Sequence, residues 1–173
     1  GNITAGTLNI GNSSTGNITV DGISAANSNN ATTLNLTTAS ASSVSFSNNA
    51  STFQGLAVSS GNGINQGVNI TTGNTTNFDA DSNDDGSGDF SNTAGTFSTG
   101  GSALSITAND FGLSGAINTG TGTTNILISD GGSIGLGSTV GSMTITGSEL
   151  GNITAGTLTI GDSTAGAMTV NGI

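Results

Sequence analysis

Five of the ten acidic residues in this chain fall within eleven positions: Asp79, Asp81, Asp84, Asp85 and Asp89. Carboxylates alternating with Asn83 and Ser87 are a pattern by which a short loop presents oxygen ligands to a hard cation. Asp81-x-Asn83-x-Asp85-Gly86 fits the opening of an EF-hand-like Ca²⁺ loop, with Gly86 at the sharp turn. Ser87 would offer its carbonyl, and Asp89 a carboxylate directly or through water. A second register starts at Asp79 and runs through Asp81 and Asn83. Asn92 stands where a bidentate Glu would complete the loop, so the expected affinity is weak, on the order of 10⁻⁴–10⁻³ M. Two readings follow. One is a single Ca²⁺ that stabilises a long loop; the other is a solvated acidic loop that supplies solubility.

Other chemistry is largely excluded by composition. The chain has no Lys, Arg, His or Cys, and its net charge is −10. Without cations it cannot neutralise phosphates, so neither nucleic acid nor an anionic membrane is an expected partner. Without Cys, His or Lys there is no thiolate metal site, no Ser-His-Asp or Ser-Lys arrangement and no Schiff base. A two-carboxylate hydrolase remains conceivable in principle. Glu149 is the only Glu, however, and with no Trp or Tyr anywhere Asp110, Asp130 and Asp162 lack an indole or phenol platform for a sugar. The chain is therefore not expected to be an enzyme.

The elements that would carry these residues show as recurring triplets of apolar, polar and apolar residues. They occur at Leu8/Ile10, Ile18/Val20, Leu34/Leu36, Val44/Phe46, Leu56/Val58 and Val68/Ile70. They resume at Leu104/Ile106, Ile126/Ile128, Ile134/Leu136, Met143/Ile145, Leu158/Ile160 and Met168/Val170. A period of two is the strand period. Gly, Asn, Ser and Thr make up 106 of 173 residues, and dipeptides such as Asp21-Gly22 and Asn62-Gly63 mark turns between the triplets. No sustained helical period appears, and no apolar run is long enough to span a membrane as a helix. Strands with two inward residues are too thin for a sandwich but suffice for coils that stack at about 4.8 Å. The expected fold is all-β: a right-handed parallel β-helix (β-solenoid) of about seven or eight coils of roughly 20–24 residues. It would fill residues 1–173 as one segment, with an irregular coil and the acidic loop at 74–101. Phe78, Phe90, Phe97 and Phe111, four of the six Phe residues, lie in 78–111, where the triplets fade, and are expected to plug the wider core of an irregular coil.

Above the short period lies a long one. Residues 1–23 and 151–173 match at 16 of 23 positions without gaps, at an offset of 150. The segments GTLNIG, GNITVDGI, GTLTIG and GAMTVNGI resemble the β-strand repeats of filamentous-haemagglutinin-type bacterial surface adhesins. That resemblance implies a non-catalytic parallel β-helical shaft, located outside the cell or at its surface. The matched ends sharpen the expectation to a structural segment of an extracellular filament or adhesin stalk. Its partner would be itself, as a homopolymer built head to tail or as a tandem array. Leu8, Ile10, Ile18, Val20, Leu158, Ile160, Met168 and Val170 would form the assembly ends. The alternative is a Ca²⁺-dependent adhesive module that contacts a glycan or an ice surface. The chain reads as a processed product or a window of a longer protein.

Overall fold

Residues 3–173 are described by a computed structural model. The first coil holds β1 (Ala5–Gly11), β2 (Ile18–Val20) and a short helical turn, α1 (Ala25–Ser28). The second holds β3 (Ala31–Thr37), β4 (Val44–Phe46) and β5 (Ser51–Phe53); the third β6 (Leu56–Ser59), β7 (Ile64–Gln66) and β8 (Ile70–Thr72). The fourth has β9 (Thr76–Asp79), β10 (Phe90–Asn92) and β11 (Thr96–Ser98), and the fifth β12 (Leu104–Ala108), β13 (Phe111–Leu113) and β14 (Ala116–Asn118). Next come β15 (Thr123–Ile128), β16 (Ile134–Gly137), β17 (Met143–Ile145), α2 (Gly147–Gly151) and β18 (Ile153–Thr154). The chain closes with β19 (Thr157–Ile160) and β20 (Met168–Asn171).

All the strand pairs are parallel, and three stacks result. The first face is the seven-stranded sheet β1-β3-β6-β9-β12-β15-β19. The second is β2-β4-β7-β10-β13, and the third β5-β8-β11-β14-β18. A further sheet, β17-β16-β20, continues beyond β13. The molecule is a parallel β-solenoid of about five complete turns, the depth of its five-stranded second and third faces, with the first face running on to seven strands; seven or eight complete coils were expected. The difference arises because coil length is uneven. Along the first face, in-register partners run Leu8, Leu34, Leu56, Thr76, Leu104, Thr124 and Leu158, at spacings of 26, 22, 20, 28, 20 and 34 residues. The coil of 28 carries the acidic excursion 80–89. The coil of 34 contains a doubled strand, since Met143 of β17 pairs with Ile134 of β16 only nine residues earlier. These spacings total 150, so the long sequence period equals six coils, and β1 and β19 are the two outer strands of one sheet in one register.

The core is a single column inside the three faces. Inward positions alternate with outward ones, so the three-residue strands bury one or two residues each and β12 and β15 three. All six Phe residues are buried, and their rings form a continuous run. Phe78 lies at its centre, with ring centroids 6.3 Å from Phe46, 5.8 Å from Phe90 and 5.2 Å from Phe97; Phe111 extends the run from Phe90 at 5.6 Å. The stretch 74–101 is more regular than its sequence suggests: β9, β10 and β11 are in register with their neighbours, and the departure is confined to 80–89. Buried hydroxyls close the corners from the third face to the first. Thr72 and Thr76 pair at 2.9 Å, Thr119 and Thr124 at 3.0 Å, and Thr99 Oγ1 donates to the carbonyl of Ser102. Each such bond satisfies a polar group that would otherwise lie unpaired inside the column.

Candidate functional site

The acidic loop begins at a buried residue. Asp81 is fully enclosed, and its carboxylate accepts from the backbone amides of Asp85 (3.3 Å) and Gly86 (3.2 Å) and from Ser129 Oγ (2.8 Å). It thereby folds the loop on itself and anchors it to the corner that follows β15. Asp85 is held instead by the Ser87 hydroxyl and by Asn83 Nδ2 at 2.6 Å, and these contacts, Ser87 foremost, keep its carboxyl below the usual carboxylate range. Asp89 turns the other way, toward Asn109 Nδ2 and the amide of Asp110. Asp79 is half-buried at the end of β9; burial pushes its carboxyl up, a hydrogen bond from the Asp81 amide opposes this, and the negative charges of Asp84 and Asp81 add to it. Asp130 sits beside the loop, and its carboxyl is also pushed up, first by loss of surrounding water and then by Asp81, Asp84 and Asp85. Asp79, Asp81, Asn83, Asp85, Ser87 and Asp89 therefore share a loop without converging on one point. Among the described residues, no three acidic, His or Cys side chains come together in a way that could hold a metal ion.

The ends of the rod are different. Among the described residues, the exposed large apolar side chains are Ile3, Ile10, Val140, Leu158, Met168, Val170 and Ile173. All but Val140 belong to the matched segments 1–23 and 151–173. Along the shaft, by contrast, apolar residues are turned inward and buried. Of the eight expected end residues, Ile10, Leu158, Met168 and Val170 are 38–55% exposed, Leu8, Ile18 and Ile160 are half-buried, and Val20 is covered. Beside β1, an apolar hollow of about 190 Å³ opens into the column, lined by Ile3, Leu8, Ile10, Ile23, Leu34 and Phe53.

The two end coils also share their turns. Gly11 and Gly161 both adopt left-handed backbone (φ +85° and +76°), as do Gly22 and Gly172 (φ +63° and +69°). In the first turn Asn12 Oδ1 accepts from the Ser14 amide, and in the last Asp162 Oδ1 accepts from the Thr164 amide, both at 2.8 Å. Hydrogen bonds from Thr164 hold the Asp162 carboxyl below its ordinary range, and the side chains of Asn49 and Asn48 do the same for Asp21. Among the described residues, no strand pairs with the outer edge of β1 or of β19, so each presents a row of open backbone donors and acceptors.

Two carboxylates act where sequence reasoning saw none. The backbone ladder of the second face is interrupted between β13 and β17, and side chains bridge the gap. Asp110 Oδ1 accepts from the amides of Thr144 and Phe111, both at 2.9 Å. Glu149 Oε1 accepts from Leu113 N at 3.0 Å, while its Oε2 accepts from Thr146 N at 2.8 Å and closes a capping box on α2. The signal was present as Thr146-x-x-Glu149, the N-terminal signature of a helix. Comparison with protein-family models, with curated proteins and with solved structures finds no match.

Proposed function

We propose that this protein is a structural segment of an extracellular filament or adhesin stalk that lengthens end to end by stacking of coils. The observation that carries the reading is the concentration of exposed large apolar side chains, all but Val140 among the described residues, in two end segments that are near-copies of one another. A parallel solenoid has no closing strand, so its ends offer both a hydrophobic column and an unpaired backbone ladder. A contact between unlike ends does not close into a ring unless the rotation happens to allow it, and otherwise generates a filament. The shaft suits that task. It presents Asn, Ser, Thr and Gly with carboxylates and no cation, so its flanks stay hydrated and repel one another.

The composition also supports a place outside the cell. A chain without Lys or Arg offers trypsin-like proteases no cleavage site. Electron microscopy across a concentration series tests the reading. Unbranched rods that lengthen with concentration are expected, whereas particles of one short length at every concentration would count against it.

A further inference from the structure

The filament reading leaves open what the exposed end of one copy receives. Resting on that reading, we infer that the last coil takes the first coil of a second copy in direct register: Leu158 on Leu8, Ile160 on Ile10, Met168 on Ile18 and Val170 on Val20. Three observations select this occupant and this register. First, the contact continues an existing sheet: β19 is the outer strand of the seven-stranded face and β1 is the outer strand at its other end, with both free edges open. Second, inward and outward residues alternate, so a slip of one residue would turn Leu158 and Ile160 toward polar neighbours. A slip of two would break the alignment of the left-handed turns. Gly161 and Gly172 are separated by eleven residues, as are Gly11 and Gly22, so both turns superimpose only in direct register.

Third, the ends are complementary in shape and polarity. The hollow beside β1 is apolar and open, and Ile23 lines it. Ile173, the counterpart of Ile23 at the offset of 150, stands 73% exposed at the opposite end. Stacking places Ile173 one rung below Ile23 of the second copy, where it enters the hollow. On the outer surface the ladder Asn9–Asn35, bonded side chain to side chain at 2.7 Å, is extended by Thr159. Ile3 of the second copy, the counterpart of Ile153 in β18, completes the third face.

Paired cysteines in the full chain test the register, and the native sequence contains no cysteine to confuse the result. Partners on adjacent strands lie about 4.8 Å apart, within the span of a disulfide. In the variant carrying Asn9→Cys and Thr159→Cys, mild oxidation under assembling conditions is expected to convert most of the protein into a ladder of covalent oligomers. The variant carrying Thr19→Cys and Thr169→Cys should do the same on the second face, and circular dichroism confirms that each variant is folded. The variant carrying Asn35→Cys and Thr159→Cys should stay monomeric on a non-reducing gel, because position 35 lies a rung too far. Oligomers from the Asn35 pair instead would mean that the last coil displaces the first coil of its neighbour. That result overturns direct register while leaving the filament reading intact, as would filaments that neither direct pair can crosslink. Absence of any assembly overturns both.

Discussion

Truncating Phe78 to alanine is the sharpest probe of what holds the shaft together. The side chain is fully buried, at mid-column, and its ring meets three others at centroid distances of 5.2, 5.8 and 6.3 Å. Removing a buried Phe costs about 3–5 kcal/mol through lost transfer energy and the cavity left behind. Aromatic pairs contribute about 0.5–1.5 kcal/mol each beyond area, which sets Phe78→Ala at the upper end of the truncation range, about 5 kcal/mol. Phe53→Ala is the internal control. Phe53 touches one ring, that of Phe46 at 6.4 Å, and lies at the open N-terminal hollow, so a cost of about 3 kcal/mol is expected. For a domain of this size, each kcal/mol moves the melting midpoint by about 2–4 °C, so the two variants should separate by several degrees. Far-UV circular dichroism is the suitable readout, because the chain has neither Trp nor Tyr for fluorescence. Equal losses for the two variants, or a loss under about 2 kcal/mol for Phe78→Ala, would refute the view that a continuous aromatic run ties neighbouring coils.

The remaining expectations concern the ends and the charge. Gly11→Ala drives a Cβ into the carbonyl oxygen of Thr37 at φ +85°, so it should fray the first coil. Hydrogen exchange should then lose protection across Ala5–Gly11 and keep it across Leu104–Ala108; unchanged protection at the first strand contradicts this. Asp79 and Asp130 hold their protons to higher pH when folded than when unfolded, so their contribution rises as pH falls. Asp21, Asp85 and Asp162 have lowered values, and their contribution is lost only as pH drops below the ordinary Asp value of 3.8. Melting midpoints should therefore hold or increase from about pH 7 to about pH 5 and decline only in stronger acid; a steady decline over that first interval speaks against the assignment. Between copies carrying −10 charge and no cationic side chain the electrostatic force opposes stacking, so raising NaCl toward about 0.1 M, where the Debye length is about 10 Å, should accelerate lengthening. Salt that slows assembly would indicate an ionic attraction this chain has no cation to make.

The first face was legible in the sequence at all its strands but β9, and the second only at β2 and β4. Pairs such as Leu34/Leu36 and Val44/Phe46 became β3 and β4 because both inward residues are large and apolar. The third face was not legible, since its strands carry a single apolar residue with a hydroxyl or nothing large beside it: Phe53 with Ser51, Ile70 with Thr72, Phe97 alone and Ile117 alone. Val68, read as the partner of Ile70, lies outside β8. An inward Ser or Thr looks like a turn residue in sequence and becomes a corner staple only when its partner a few residues on is folded opposite it. The coil count was overestimated because coils of 26, 28 and 34 residues exceed the 20–24 expected from the spacing of the triplets. The helical turns α1 and α2 are too short to show a period. The aspartates were legible as a cluster but not as individual fates, since Asp81 turns inward to its own loop amides while Asp89 reaches the next rung.

Cryo-electron microscopy of the assembled protein measures the central claim directly. Strands perpendicular to the filament axis with a rise of about 4.8 Å per rung are expected, and seven rungs per copy on the first face give an axial repeat of about 34 Å. Filaments whose copies associate side by side, with rungs running off the long axis, or a population that stays monomeric at every concentration, would contradict the account.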